Sequence, residues 1–134
     1  MYGSLDISTS ALVAHRVRLE ATAANIAGAD AIENETGEYE PFRRRIVTLA
    51  SGDPTGDTDE GVHIASIELA GGPYRMKYEP ESRHANADGY VGYPNINIVV
   101  EQMNAMEAQR SYEANITAIE ATKSMLSVAL QMLG

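Results

Sequence analysis

The sequence contains no cysteine and no tryptophan, and only one phenylalanine. The absence of cysteine excludes disulfide bonds, thiol catalysis and metal sites with cysteine ligands. Only 6% of the 134 residues are aromatic, so a compact core would depend on Ile, Val, Leu and Met. A chain of this length forms one domain of ordinary size, because each half of a two-domain chain would be marginally stable.

Basic residues are also scarce, with 10 Lys and Arg against 19 Asp and Glu and a formal net charge of -9. This balance disfavours nucleic acid and anionic membrane surfaces as partners, because both would be repelled. No run approaches the ~20 apolar residues of a membrane-spanning helix, so no direct membrane insertion is expected. The first ten residues lack the basic and apolar regions of a cleaved signal peptide, so any export is expected to use a route without one.

Residues 1–28 are predicted to contain a long N-terminal helix, from about Leu5 to Ala27. Large aliphatic residues recur there at intervals of seven, which places them on one stripe every two turns. The other heptad seam is small or polar, so a zipper of this helix alone is not expected, and the alanines that flank the stripe would let other helices approach closely. Gly28 is predicted to end the helix in a left-handed conformation. The stripe consists of Leu5, Leu12, Leu19 and Ile26.

Residues 98–134 are predicted to form a long C-terminal helix, about Ile98 to Leu133, within which no Pro or Gly occurs. Its length of roughly 54 Å, at 1.5 Å per residue, far exceeds that of an average globular helix. Seven-residue apolar stripes over such a length are typical of coiled-coil packing. Asn95 or Asn97 is predicted to cap its start. The main stripe comprises Tyr112, Ile119, Leu126 and Leu133, and Ile116 and Leu130 are assigned to the alternate seam.

Residues 29–97 are predicted to form a central β-rich insertion with loops. Phe42 to Leu49, Val62 to Leu69 and Tyr74 to Tyr78 have the composition or alternation of strands. The span from Glu79 to Pro94 is predicted to be a loop, because Gly and Pro recur in it. The predicted fold class is therefore α+β, in which long N- and C-terminal helices pack as a coiled-coil-like hairpin with a small central β insertion.

No catalytic, cofactor or metal site is predicted. His15, His63 and His84 fall on a helix, a strand and a loop, without metal-ligand spacing. An acidic segment matches part of a calcium-loop template, but Val62 occupies the position where that template requires glycine. Carboxylates on a long narrow helix cannot converge in a pocket, and phosphate-binding loops and nucleophile elbows are absent from the sequence. The chain is therefore not expected to be an enzyme.

Several stretches of the sequence resemble one known family. Residues 88–115 read DGYVGYPNINIVVEQMNAMEAQRSYEAN, which resembles the C-terminal signature of the FlgC family of flagellar proximal-rod proteins. Residues 122–125, TKSM, resemble a stretch shared by the broader flagellar rod and hook axial family. Residues 5–8 and 25–27 resemble the N-terminal helix of that family, so the resemblance covers nearly the whole chain.

This resemblance implies a structural subunit of the proximal rod of the bacterial flagellar basal body. Such a subunit assembles helically with itself and with other flagellar rod proteins, and it transmits motor torque without a cofactor. The resemblance also implies export through the flagellar type III export apparatus, without a cleaved signal peptide, into the periplasmic rod of a Gram-negative cell. The expected subunit-packing residues are Leu5, Leu12, Leu19, Asn25, Ile26, Tyr112, Asn115, Ile116, Ile119, Leu126, Leu130 and Leu133.

Two alternatives remain open at this point. The stripes could form only an ordinary intramolecular core. The chain could also be a soluble helical adaptor, or a secretion-chaperone-like binding protein, that never polymerises. Reversible dimers of fixed size would favour the adaptor, whereas concentration-dependent filaments or dependence on rod partners would favour the rod subunit.

Overall fold

The computed structural model describes residues 2–134 and the side chains from Gly3 onward. Helix α1 spans Tyr2–Ala27, helix α2 spans Ile98–Leu133, and four short strands lie between them in sequence. Helix α1 begins three residues before the predicted position, and α2 has the predicted bounds. Both predicted terminal helices therefore exist.

The two helix ends that flank the insertion have different causes. Asn97 caps α2, since its Oδ1 accepts hydrogen bonds from the backbone N of Val99 at 3.1 Å and of Val100 at 3.3 Å. The prediction for Gly28 was wrong, because its φ is not positive. A Cβ at Gly28 would lie 2.5 Å from Cγ of Phe42. Glycine is required there by the close approach of the aromatic ring.

The insertion contains two separate two-stranded antiparallel sheets. Strand β1, Arg45–Ser51, pairs with β2, Val62–Leu69, with an irregular register between Thr48 and Leu49. Strand β3, Arg75–Tyr78, pairs with β4, Tyr90–Tyr93. The first strand starts three residues later than predicted, and β2 has the predicted bounds.

Strand β4 corrects the prediction of a loop from Glu79 to Pro94. Val91 is fully buried in β4, and Gly89 makes the turn before the strand with a φ of 83°. A Cβ at Gly92 would lie 2.7 Å from the Tyr39 hydroxyl, which donates a hydrogen bond to the carbonyl of Gly92. The glycines that suggested a loop are therefore required by a turn and by a close contact.

Helix α1 lies at the centre of the arrangement. It packs against α2 and also against β1 and β2, whereas no strand packs along α2 in the described part of the chain. The apolar core is thin, because four of its six buried residues are alanines. The two helices and the two small antiparallel sheets confirm the predicted α+β fold. Among residues 2–134, neither helix has the length and apolar character needed to cross a membrane. The buried apolar residues are Ala14, Ala21, Ala29, Val91, Ile96 and Ala108.

Candidate subunit-packing site

Two side-chain contacts define the register between the helices. Nδ2 of Asn25 donates to Oε2 of Glu101 at 3.3 Å, and Nη2 of Arg18 lies 3.7 Å from Oε1 of Glu107. From the first contact to the second, the residue number decreases in α1 and increases in α2, so the two helices run antiparallel. Helix α1 has 26 residues and α2 has 36. At about 1.5 Å per residue, the last turns of α2 extend roughly 15 Å beyond the start of α1.

Small and polar side chains occupy the buried positions of the two helices. On α1 these include a serine, a threonine and an asparagine, and on α2 a threonine and a glutamate. The Oγ1 of Thr22 donates to the carbonyl of Arg18, and that of Thr122 to the carbonyl of Ala118, each at 2.8 Å. These hydroxyls are satisfied within their own helices, so the helices approach closely without unpaired polar groups. The buried polar residues are Ser8, Thr22, Asn25, Glu101 and Thr122.

The predicted stripe residues are only partly covered within one chain. Those of α1 are half-buried, as are the first three of the main stripe of α2. The remaining three are exposed, with Ile116 at 37%, Leu130 at 61% and Leu133 at 86%. Their role in packing between subunits stays a prediction. The half-buried members are Leu5, Leu12, Leu19, Ile26, Tyr112, Ile119 and Leu126.

The alternate seam of α2 differs from the sequence prediction. Ile116 and Leu130 were assigned to it, yet the positions that face α1 carry Ala108, Asn115 and Thr122, of which Asn115 is half-buried. Ile116 and Leu130 are exposed within one chain, so their packing role stays a prediction for contacts between subunits.

Two of the expected subunit-packing residues, Asn25 and Asn115, are asparagines, and they make different contacts within one chain. Asn25 is 1% exposed and contacts the start of β1, since its Oδ1 accepts from the backbone N of Arg45 at 2.7 Å and its Nδ2 donates to the carbonyl of Arg45 at 3.0 Å. Asn115 instead donates to the carbonyl of Ser111, one turn earlier in its own helix, at 2.7 Å. Within one chain, only Asn25 connects separate elements.

Glu101 completes a polar joint between the helices and the insertion, which we call the joint cluster: Asn25, Arg44, Arg45 and Glu101. The Glu101 carboxylate is 2% exposed and accepts hydrogen bonds from Nε of Arg44 and from Nδ2 of Asn25. One buried carboxylate therefore links α2 to both α1 and the segment before β1. Sequence reasoning missed this role, because a glutamate in the first turn of a helix is usually exposed and favourable to the helix dipole.

The basic run at residues 43–45 is used internally. Arg44 pairs with Glu101, and Nη1 of Arg43 donates to the carbonyl of Gly72 at 3.0 Å. The guanidinium of Arg43 also lies 4.3 Å from the ring centroid of Tyr74. These contacts hold the run against neighbouring parts of the insertion.

A second polar contact connects the loops at the far side of the insertion. Oε1 of Glu33 accepts hydrogen bonds from Nη2 of Arg83 at 2.6 Å and from Nε2 of His84 at 2.8 Å. These two hydrogen bonds, that from Arg83 first, lower the pKa of Glu33. The contact joins the loop before β1 to the loop between β3 and β4.

Comparison with known proteins finds relatives of this chain by sequence. A family model described as "Flagellar basal body rod FlgEFG protein C-terminal" matches residues 87–132, which include most of α2. The chain is 35% identical over 145 residues to the flagellar basal-body rod protein FlgC of Bacillus subtilis, covering 98% of this chain and 97% of the relative.

Two further relatives carry the same name. The FlgC protein of Salmonella typhimurium is 38% identical over 127 residues, covering 95% of this chain and 93% of its own. That of Borreliella burgdorferi is 31% identical over 150 residues, covering 99% and 97%. These matches extend over both helices and the insertion. The chain therefore belongs to the FlgC family of flagellar basal-body rod proteins.

Proposed function

We propose that this protein is a structural subunit of the proximal rod of the bacterial flagellar basal body. It assembles helically with itself and with other rod proteins through its terminal helices, and it transmits motor torque. The observation that carries the proposal is the uncovered end of α2, where Leu130, Met132 and Leu133 are 61%, 82% and 86% exposed. A helix that extends beyond its partner with such side chains needs neighbouring chains to cover them.

The arrangement of the three parts supports this role. Residues 1–28 and 98–134 form the packing stem. Residues 29–97 form the insertion, which in the proposed rod lies outside the packed helices. Because the strands pack on α1 and not along α2, neighbouring helices can reach α2. The joint cluster connects stem and insertion through Asn25 and Glu101, so a load on one part reaches the other.

The proposed role requires positioned surfaces and no catalytic group or cofactor. The subunit reaches the periplasmic rod through the flagellar type III export apparatus. A thin, alanine-rich core supports this route, because a chain with little buried apolar volume unfolds at low cost.

The test is a strain that lacks the gene, compared with the same strain carrying the intact gene. Swimming is scored in soft agar, and basal bodies are isolated and imaged by electron microscopy. Motors that stop before a rod forms, and that the intact gene restores, are the expected result. A complete rod and normal swimming without the gene would refute the rod role and leave the adaptor alternative in place.

A further inference from the structure

One face of the sheet formed by β3 and β4 carries three exposed side chains, which we call the tyrosine patch: Met76, Tyr78 and Tyr90. Tyr78 is paired with Tyr90 across the two strands, and their ring centroids lie 5.3 Å apart in an edge-to-face arrangement. Met76 lies two residues before Tyr78, so its side chain is on the same face of the sheet. The three side chains are 53%, 63% and 42% exposed, whereas Val91 on the opposite face is fully buried. The patch is therefore an uncovered surface of the insertion.

Two other tyrosines of the insertion are covered by cations of the same chain. The Arg43 guanidinium lies 4.3 Å from the ring centroid of Tyr74, and Nζ of Lys77 lies 5.6 Å from that of Tyr93. Such cations are attracted by the negative face of the aromatic ring. Among the residues that the structure describes, no Lys or Arg lies over either tyrosine of the patch. The patch therefore offers two rings without the cation that the neighbouring tyrosines have.

The Lys and Arg residues of the insertion are already engaged elsewhere. Four of the six form ion pairs with carboxylates, and the other two lie over aromatic rings. Moving any of them to the patch would break one of these contacts. A cation for the patch must therefore come from outside the insertion. The six residues are Arg43, Arg44, Arg45, Arg75, Lys77 and Arg83.

Carboxylates lie beside the patch. Glu81 and Asp88 are exposed, and in the described part of the chain neither forms an ion pair. Both belong to the loop between β3 and β4, which the two tyrosines flank and which a hydrogen bond of 2.9 Å from the backbone N of Glu79 to the carbonyl of Gly89 closes. Residues 29–97 contain 13 Asp and Glu against 6 Lys and Arg, so they carry seven of the nine net negative charges. The surroundings of the patch therefore suit a positively charged partner.

We propose that the tyrosine patch binds a basic segment of another protein. Arg or Lys side chains of that segment lie over the rings of Tyr78 and Tyr90. The carboxylates of Glu81 and Asp88 pair with the same charges, and the apolar stems of the basic side chains cover Met76. The inference rests on the proposed function in one respect. Because the insertion lies outside the packed helices of the proposed rod, the partner is a protein that borders the rod.

A second copy of this chain does not meet these requirements. Its insertion carries the same net negative charge, so two insertions repel each other. Outside the insertion, the chain has four Lys and Arg residues, and two of these, Arg16 and Arg18, pair with carboxylates of the helices. The other two, Arg110 and Lys123, lie about 20 Å apart along α2. That distance is too large for both to lie over two rings whose centroids are 5.3 Å apart.

Titration of the purified chain with a basic peptide tests the chemistry of the patch. The probe is an acetylated and amidated peptide of four Gly-Arg repeats, and binding is followed through the tyrosine ring signals of the ¹³C-labelled chain. The signals of Tyr78 and Tyr90 should shift, whereas that of Tyr112 on α2 should not. Tyr78→Leu and Tyr90→Leu should each raise the Kd roughly two- to fivefold, and Tyr78→Phe, which keeps the ring, should leave it unchanged.

Backbone amide spectra check that the insertion of each variant remains folded. Leucine variants that are folded and bind the peptide as tightly as the natural chain would overturn the proposal.

Two double variants with the same change in net charge separate the patch from the charge of the whole insertion. Glu81→Gln with Asp88→Asn removes two charges beside the patch, and Asp57→Asn with Asp59→Asn removes two from the loop between β1 and β2. At about 0.15 M salt, exposed charges more than about 8 Å apart are largely screened, so the first pair should weaken peptide binding roughly threefold more than the second. Equal weakening would mean that the peptide responds only to net charge, which contradicts the proposal.

Photo-cross-linking in isolated basal bodies tests the identity of the partner. p-Benzoylphenylalanine in place of Tyr78 keeps an aromatic ring in the patch, and mass spectrometry identifies the cross-linked segment. We expect a segment of a different protein that contains Arg or Lys, with a lower yield when Glu81→Gln and Asp88→Asn are added. A cross-link to another copy of this chain, to a segment without Arg or Lys, or to nothing would refute this partner.

The patch and the rod role fail in different measurements. A complete rod in the deletion strain would refute the rod role, while the peptide titration would still decide whether the patch binds cations. Unchanged peptide binding by the leucine variants would refute the patch and leave the rod role intact.

Discussion

Replacing Glu101 with alanine tests whether the joint cluster holds the helices to the insertion. The substitution removes a carboxylate that is 2% exposed and accepts hydrogen bonds from Arg44 and Asn25. It leaves the Arg44 guanidinium, whose side chain is 32% exposed, without its anion. Breaking a buried ion pair from one side costs about 3–5 kcal/mol. Because Arg44 retains some contact with water, we expect a loss of about 3 kcal/mol in the free energy of unfolding.

The reciprocal substitution, Arg44→Ala, should cost at least as much. It leaves the more deeply buried partner charged, with only the Asn25 amide at 3.3 Å to compensate. The double variant Arg44→Ala with Glu101→Ala should lose less than the two single losses combined, because no uncompensated charge remains. Urea unfolding followed by far-UV circular dichroism measures all four proteins.

The matched control is Glu20→Ala, the same substitution on the surface of α1. Glu20 pairs with Arg16 at 3.8 Å, and the two side chains are 69% and 64% exposed. Such a pair contributes at most about 0.5 kcal/mol. Equal losses for Glu101→Ala and Glu20→Ala, or additive losses in the double variant, would refute the reasoning that the buried carboxylate fastens the joint.

Three further substitutions test other parts of the fold. Gly28→Ala places a Cβ 2.5 Å from a packed aromatic ring and should cost about 1–3 kcal/mol in urea unfolding; no loss would contradict that contact. Leu126→Asp should block rod assembly while the insertion still folds, whereas Ser127→Asp, the exposed neighbour, should swim; normal motility of the first would refute its packing role. The hydrogen bond from Arg83, and then that from His84, lowers the pKa of Glu33. The contact therefore stabilises the fold fully when the pH is above the ordinary pKa of glutamate, and this stabilisation is lost as the pH falls through the lowered pKa. Glu33→Gln should abolish this acid-dependent change in the NMR shifts of that loop.

Elements with strong local signals were predicted well. Helix α2 has an uninterrupted apolar periodicity and an asparagine at its start, and its bounds of Ile98 and Leu133 were correct. Strand β2, Val62–Leu69, was also correct, because it contains the β-branched residues Val62, Ile64 and Ile67. In both cases the start and the end of the element coincide with the start and the end of its sequence pattern, so the local sequence is sufficient to predict its bounds.

The alternate seam of α2 shows a limit that is physical in origin. Residues three and four positions after a stripe member both lie beside it on a helix surface. After Tyr112, those positions are Asn115 and Ile116, and apolarity favours Ile116. In the structure Asn115 is half-buried and Ile116 is 37% exposed. Which of the two positions faces α1 depends on how the two helices pack, and periodicity within α2 does not report that.

The burial of Glu101 was unpredictable for a related reason. Its pairing with Arg44 joins positions far apart in sequence, and both residue types are usually exposed. Strand β4 was missed because Gly92, next to the buried Val91, interrupts its alternation. The close approach of Tyr39 and Tyr74 explains why glycine stands there. Contacts between distant segments thus account for each of these errors.

The distribution of apolar side chains connects the fold with the proposed assembly. The buried apolar residues are mainly alanines, whereas Leu130, Met132 and Leu133 are largely in water. Alanine contributes little apolar area, so much of the possible hydrophobic stabilisation is realised only when neighbours cover α2. A chain arranged in this way is weakly stable alone, which suits unfolding for the proposed export. It becomes stable on incorporation, so stiffness under torque arises from the assembled helices rather than from the single subunit.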